Sequence, residues 1–240
     1  MRYSFSTPCV ILCLAFAGAT ISPAFQGAAL AQAAKDRDTL LFVGDVLTKT
    51  EYALTGDRRV VRWVKPPTIS VFGDQDRHKP VVAATVREIN RAMPEKLQLE
   101  HLPDEDEDAL IKLYFIKLKQ FEEIASRHDF KVVKGNRGFF FVKWNHKFEI
   151  ENAIVLIAED RLSGKKLSHF VLEEVVQSLG LGGDSKYFPN SIFYENKLLL
   201  RYGSATRLAP TDRKLISFLY EHVPAGAEAV EVGQFFEKHW

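Results

Sequence analysis

Between Val60 and Leu179 the chain alternates short β-rich runs with stretches of helical period, and that alternation points to a layered domain of helices on a sheet. Val60–Val64 and Thr68–Phe72 are rich in β-branched and aromatic residues, and Pro66-Pro67 between them blocks continuous ladder pairing, so they read as one bent strand entering a sheet. Pro80 suits the first turn of a helix, along which Val82, Val86, Ile89 and Met93 recur at helical spacing until Pro94 stops it. Leu97–Leu102 and Leu110–Ile116 read as strands. The acidic run Asp104–Asp108 between them has no apolar member and reads as a solvated loop; it lacks the glycine and terminal glutamate of a calcium-binding EF-hand loop. Phe121, Ile124 and Ala125 predict a short helix ending near His128, and Gly138–Trp144 with Ile150–Ala158 predict a hairpin turning at Asn145–Lys147. The stripe Phe139–Phe141 belongs to the sheet core in this reading.

The helical period from Leu167 to Leu179 ends where Gly180, Gly182 and Gly183 force a turn. A last well-formed helix is expected over Thr211–His222, with Leu215, Phe218 and Leu219 inward and Pro224 beyond its end. Residues 227–240 form a tail with room for one more short helix. Ala33–Arg59 shows no sustained period and reads as a lead-in, partly strand.

At the N-terminus Arg2 precedes an apolar run from Cys9 to Ile21, and Ala29 and Ala31 frame an A-x-A pattern before Gln32, the layout of an export signal over residues 1–31. The run is shorter than the ~20 apolar residues a spanning helix needs, and no later stretch comes near that length. The expectation is an exported chain, periplasmic or secreted, with no transmembrane segment after processing. Cys9 follows Pro8 and Cys13 follows Leu12, so neither has the small preceding residue that lipidation requires. Both cysteines lie in the signal, and the remainder must hold itself together by core packing. Arg2 is the one charged residue of the signal. The remainder therefore carries 31 basic and 31 acidic side chains, a balance that argues against a nucleic-acid partner.

The segment Glu173-Glu174-Val175-Val176-Gln177-Ser178-Leu179-Gly180-Leu181-Gly182-Gly183-Asp184 resembles the metzincin zinc-peptidase signature H-E-x-x-H-x-x-G-x-x-H/D in register. Pro189–Phe193 resembles the turn that carries a methionine beneath the metal in those enzymes, with Phe193 in the methionine place. Asp212-x-x-x-Ile216-x-x-x-Tyr220 resembles their closing helix. The combination E-E-x-x-Q-x-L-G-L, then D-S and P-x-S-I-F, is similar to an exported bacterial family, domain of unknown function 2927, over roughly Val60–Gly226. The resemblance implies an α/β (α+β) zincin-like domain over residues 60–226: a mixed twisted sheet of about four or five strands with an N-terminal helix, a motif helix and a C-terminal helix. A lead-in, residues 32–59, would precede it, and the tail, residues 227–240, would follow.

In the resembled enzymes two histidines and a third ligand hold zinc, and a glutamate beside the first histidine activates water. Here those three ligand positions are Glu173, Gln177 and Gly183, while Glu174 keeps the general-base place. No metal is therefore expected, although zinc or another divalent ion stays open. His169, Glu173 and Gln177 stand at i, i+4 and i+8 on one helix side, but residues eight apart are about 12 Å apart by rise, too far to share an ion. Leu172, Val175, Val176 and Leu179 take the opposite side, so the polar side either faces water as on any amphipathic helix or lines a cleft together with Asp184. The resemblance favours the cleft. The functional expectation is a non-catalytic domain whose cleft residues Glu173, Gln177, Asp184 and His169 bind a peptide, protein or cell-envelope component. Its alternative is a divergent hydrolase, peptidase or glycan-cleaving, in which Glu174 works with an oxygen-ligated metal or a second carboxylate.

Overall fold

The computed structural model describes residues 23–49, 59–73, 75–196, 198 and 201–240. Most of the export signal expected over residues 1–31, and residues 50–58 of the lead-in, lie outside the described residues. Contacts divide the chain after Asp36, and the unit of interest is Arg37–Trp240. Among the described residues no helix is long and apolar enough to cross a membrane.

The order is α1 (Pro23–Thr48), β1 (Thr68–Gly73), α2 (Gln75–Asn90), β2 (Glu100–His101), β3 (Ile111–Ile116), α3 (Phe121–Arg127), β4 (Gly138–Trp144), β5 (Ile150–Ala158), α4 (Gly164–Gln177), β6 (Glu195–Asn196), β7 (Arg201–Tyr202), α5 (Pro210–His222) and α6 (Ala229–His239). Five strands form one sheet in the order β2-β1-β3-β5-β4, and β6 pairs with β7 separately. β2, β1, β3 and β5 run parallel, and β4 is the antiparallel edge, joined to β5 by the expected hairpin. The fold is thus the expected mixed α/β domain.

Alternation along the strands sorts the core into two layers. In β3, Ile111, Leu113 and Phe115 enter the main core while Tyr114 faces the other side; in β5, Val155 and Ile157 oppose Ile154 and Leu156 in the same way. The phenylalanine stripe splits likewise: Phe140 joins the main core, whereas Phe139 and Phe141 stack on Phe130 in the smaller one. α2, α4 and α5 supply the main core's helical side, with Leu172, Val175, Val176, Leu215 and Leu219 each at most 2% exposed.

Three expectations are corrected. Ala33–Arg59 is helical up to Thr48, where partial strand was expected. Phe42, Val43, Val46 and Leu47 follow helical spacing and are buried, and Phe42 meets the rings of Phe188 and Phe193 at 5.1 and 6.2 Å. Burial of this two-turn stripe is what selects the helix. Val60–Val64 is not a ladder strand: Arg62 makes an isolated parallel bridge with Glu149, and Val60 bonds the Ala227 carbonyl and the Gly226 amide. Its side chains Val60 and Trp63 are nonetheless fully buried. Finally, α2 begins at Gln75, so Pro80 sits inside it and gives up one helical hydrogen bond.

Candidate functional site

α4 ends by geometry as well as by composition. Gly180 has φ +97°, and a Cβ there would meet the Val61 carbonyl oxygen at 2.1 Å, so only glycine allows both the turn and the approach. Three long-range hydrogen bonds hold the turn: Trp63 Nε1–H donates to Ser178 O at 3.1 Å, Tyr220 O–H to Leu179 O at 2.7 Å, and the Gly183 amide to Val46 O at 3.2 Å. Burial pushes the Tyr220 phenol far above its ordinary range, so that hydrogen stays in place.

Gly183 occupies the third zinc-ligand position of the resembled signature. A Cβ there would meet the Asp45 carbonyl oxygen at 2.1 Å and that of Lys49 at 2.7 Å. The C-terminal end of α1 therefore fills the space from which a ligand side chain would come. Among the described residues no group of three or more His, Cys, Asp or Glu side chains is placed to hold a metal ion. The residues present do not fit the zinc of the resembled enzymes.

The polar side of α4 does not face bulk water. His169, Glu174 and Gln177 are 5%, 6% and 3% exposed, and the Glu173 side chain is 16% exposed. All four, with Asp184, line a cavity of about 460 Å3, whose other walls include Arg137, Gly138 and Glu195. Every residue expected at the site is thus brought to one place. Gln177 Nε2 donates to Asp184 Oδ1 at 3.3 Å, tying the end of α4 to the segment beyond the glycines.

His169 is anchored through one ring nitrogen. Its partner at Nδ1 is the Ala205 carbonyl, 2.7 Å away, and a carbonyl only accepts, so Nδ1 carries the proton. Nε2 lies 3.3 Å from Glu173 Oε2, one helical turn on. Burial lowers the imidazole pKa, while the Ala205 bond opposes that shift. The neutral ring therefore presents its Nε2 lone pair beside the Glu173 carboxylate. Gly203 makes room for it, since a Cβ there would come within 3.0 Å of His169 Cε1.

Glu174 lies against the start of the edge strand. A Cβ on Gly138 would meet Glu174 Oε1 at 2.3 Å and the Phe170 ring at 2.6 Å, so this glycine is needed for the carboxylate's position. Arg137, Gly138, Glu195 and Gly203 were not singled out in the sequence. A glycine opening an otherwise aromatic strand was the available signal for Gly138; Glu195 and Gly203 carried none.

The turn Pro189–Phe193 is locked to α5 through Asp212, which is fully buried. Its Oδ1 accepts the Ser191 hydroxyl at 2.6 Å, and its Oδ2 accepts the amides of Ile192 at 3.0 Å and Ala209 at 2.8 Å. Burial raises this carboxyl's pKa, and the three donors pull the other way. Phe193, in the methionine place of the resembled turn, is fully buried.

Fold and site together define a mixed α/β domain with an acidic cavity at the side of its motif helix. The chain belongs to the family described as protein of unknown function (DUF2927), which matches residues 42–238. No curated protein matches it. Among solved structures it is similar to two of myroilysin, at 13% and 12% identity, covering 68% and 75% of this chain and 98% and 93% of theirs, each with a TM-score of 0.43.

Proposed function

We propose that this is an exported, non-catalytic binding domain that holds a peptide segment along α4. The observation that carries the reading is the meeting of two cavities at shared walls. The acidic cavity, about 460 Å3, and a neighbour of about 500 Å3 are both lined by Asp184 and Glu195, and the neighbour adds Leu41, Tyr187 and Leu198. An acidic compartment adjoining a partly apolar one suits consecutive side chains of an extended peptide better than a single small solute. On this reading the carboxylates of Glu173, Glu174, Asp184 and Glu195, each already engaged within the protein, exchange a contact for a cationic group of the peptide, a lysine or arginine side chain or a terminal amine, with an apolar residue next to it. Export rests on the apolar run Cys9–Ile21 and the A-x-A pattern before Gln32.

The test is calorimetric binding of short peptides differing only in the charge of one residue beside a leucine. Lys-Leu peptides should bind at least tenfold tighter than Glu-Leu peptides, and Glu173→Gln with Glu174→Gln should erase the preference. Equal binding of both peptides refutes the assignment. The hydrolase alternative draws support from the His169 Nε2 lone pair beside Glu173, an arrangement also used by metal ligands and proton acceptors. It requires peptide or glycan cleavage by purified protein that Glu174→Gln abolishes.

A further inference from the structure

α4 has a second polar neighbourhood on the side away from the acidic cavity. Ser168 and Leu172, each one residue before a cavity-lining residue of α4, face a groove of about 590 Å3 whose other walls are α2 and the segment Thr206-Arg207. Three arginines line it: Arg87 of α2, Arg91 one residue past the end of α2, and Arg207 opposite. The Arg91 amide donates to the Arg87 carbonyl at 3.3 Å, so the two residues stand one turn apart on the same wall.

Among the described residues the groove holds one acid, Glu88, and that acid is engaged within the wall. Its Oε1 accepts the Leu208 amide at 3.2 Å and Arg213 Nη1 at 3.4 Å, and its Oε2 accepts Arg91 Nη1 at 3.1 Å. Neither Arg87 nor Arg207 forms an ion pair among the described residues. Three arginines against one glutamate leave the lining with a charge of +2. The chain as a whole is only +1 by formal charge, so this is local segregation and not a general basicity.

Guanidinium forks offer paired donors matched to the oxygens of phosphate, and a phosphomonoester at neutral pH carries roughly −1.5 to −2 charges, close to what the lining offers. The Thr85 and Thr206 hydroxyl groups add neutral donors on the same walls, while the Ser168 hydroxyl donates to the Gly164 carbonyl at 3.3 Å. We infer that this groove is a binding site for a phosphomonoester group, with Arg87 and Arg207 as its principal contacts. It is separate from the acidic cavity and stands whether or not that cavity binds peptides. The two share a wall, because Ala205, whose carbonyl holds His169, immediately precedes Thr206.

The experiment is isothermal titration of the full chain with glycerol phosphate and with acetate at equal ionic strength, alongside co-sedimentation with vesicles of phosphatidylcholine with and without phosphatidic acid. Saturable binding of glycerol phosphate at least tenfold tighter than acetate is expected, lost at least tenfold in Arg87→Gln/Arg207→Gln and retained in Lys96→Gln. Binding to the phosphatidic-acid vesicles with the same dependence on Arg87 and Arg207, but none to the soluble ester, assigns the phosphomonoester to a lipid headgroup and supports the site. Absence of binding in both arms overturns it, as does equal loss in Lys96→Gln, which would mark unspecific charge attraction. Melting of each variant within 2 °C of the parent, a threshold below about 1 kcal/mol for a unit of this size, separates lost binding from lost folding.

Discussion

Replacing Asp212 should separate the role of its shape from that of its hydrogen bonds. Asp212→Ala removes the acceptor for Ser191 Oγ and for the amides of Ile192 and Ala209 in a fully buried position. Each bond to an ionised group contributes about 1.5–3 kcal/mol net, giving about 4–9 kcal/mol for the set before the carboxylate's own burial cost is returned. That cost is several kcal/mol for a buried ion. The balance predicts a loss of about 3 kcal/mol, most of it from the Ile192 amide, which has no water to turn to. Asp212→Asn keeps an oxygen for both amides and gives Ser191 a donor in place of an acceptor, so its loss should be about 1 kcal/mol. Because burial raises the native carboxyl pKa, the native state holds a proton where the unfolded chain has released it. Wild-type stability therefore falls as pH rises from the unfolded value, about 3.9, through the native one, whereas Asp212→Asn lacks this loss. Urea unfolding followed by the fluorescence of Trp63, which is buried beside Ser178, measures all three proteins across pH. Equal losses for alanine and asparagine, or an alanine loss below about 1 kcal/mol, would refute the hydrogen-bond account.

Other substitutions probe the elements around the site. Gly183→Ala forces a Cβ to within 2.1 Å of the Asp45 carbonyl and should cost about 1–3 kcal/mol, seen as faster proteolysis between Arg37 and Lys49 before global unfolding. Tyr220→Phe deletes the 2.7 Å bond to Leu179 O and leaves that buried carbonyl unpaired, a loss of about 1–2 kcal/mol in thermal melting. For His169 the shift is downward, so the unfolded chain binds more protons than the native state between the depressed native pKa and about 6.5. Its contribution to stability is therefore full above about 6.5 and declines as pH falls through the native value, a slope that His169→Gln should flatten; imidazole NMR shifts report the native pKa directly.

What could be read in the sequence followed the range of the interactions. Strands β3, β4 and β5 were visible because a sheet buried on both faces makes each strand a short, near-continuous apolar and aromatic run, and α4 because Leu172, Val175, Val176 and Leu179 mark one helical face. The five site residues were legible because four of them share that helix and the fifth follows the glycine turn. α1 was missed because its stripe spans only Phe42 to Leu47, too short to stand out from its charged surroundings. The need for glycine at 183 depends on a backbone more than 130 residues earlier in the chain, which no local pattern can reveal. Burial of the polar side of α4 was likewise undecidable, because its cover includes Arg137, Gly138, Tyr194, Glu195 and Gly203, none of them on α4.

Those remote contacts bear on how the turn behind α4 responds to metal. The bonds from Trp63, Tyr220 and the Gly183 amide hold it with protein groups alone, and the Asp212 contacts hold the Pro189–Phe193 turn in the same way. Stability should then be indifferent to chelation, and melting in excess chelator should match melting in buffer. Added zinc tests the cavity separately. An ion bound only by the native state at a hundred times its dissociation constant would stabilise by about 2.7 kcal/mol. For a unit of this size each kcal/mol raises the melting temperature by about 2–4 °C, so occupancy would appear as a rise of about 5–11 °C. A rise of that order that disappears in His169→Gln would place an ion at Nε2 beside Glu173 and promote the hydrolase alternative over peptide binding. Melting unchanged in zinc removes the zinc-dependent form of the hydrolase alternative.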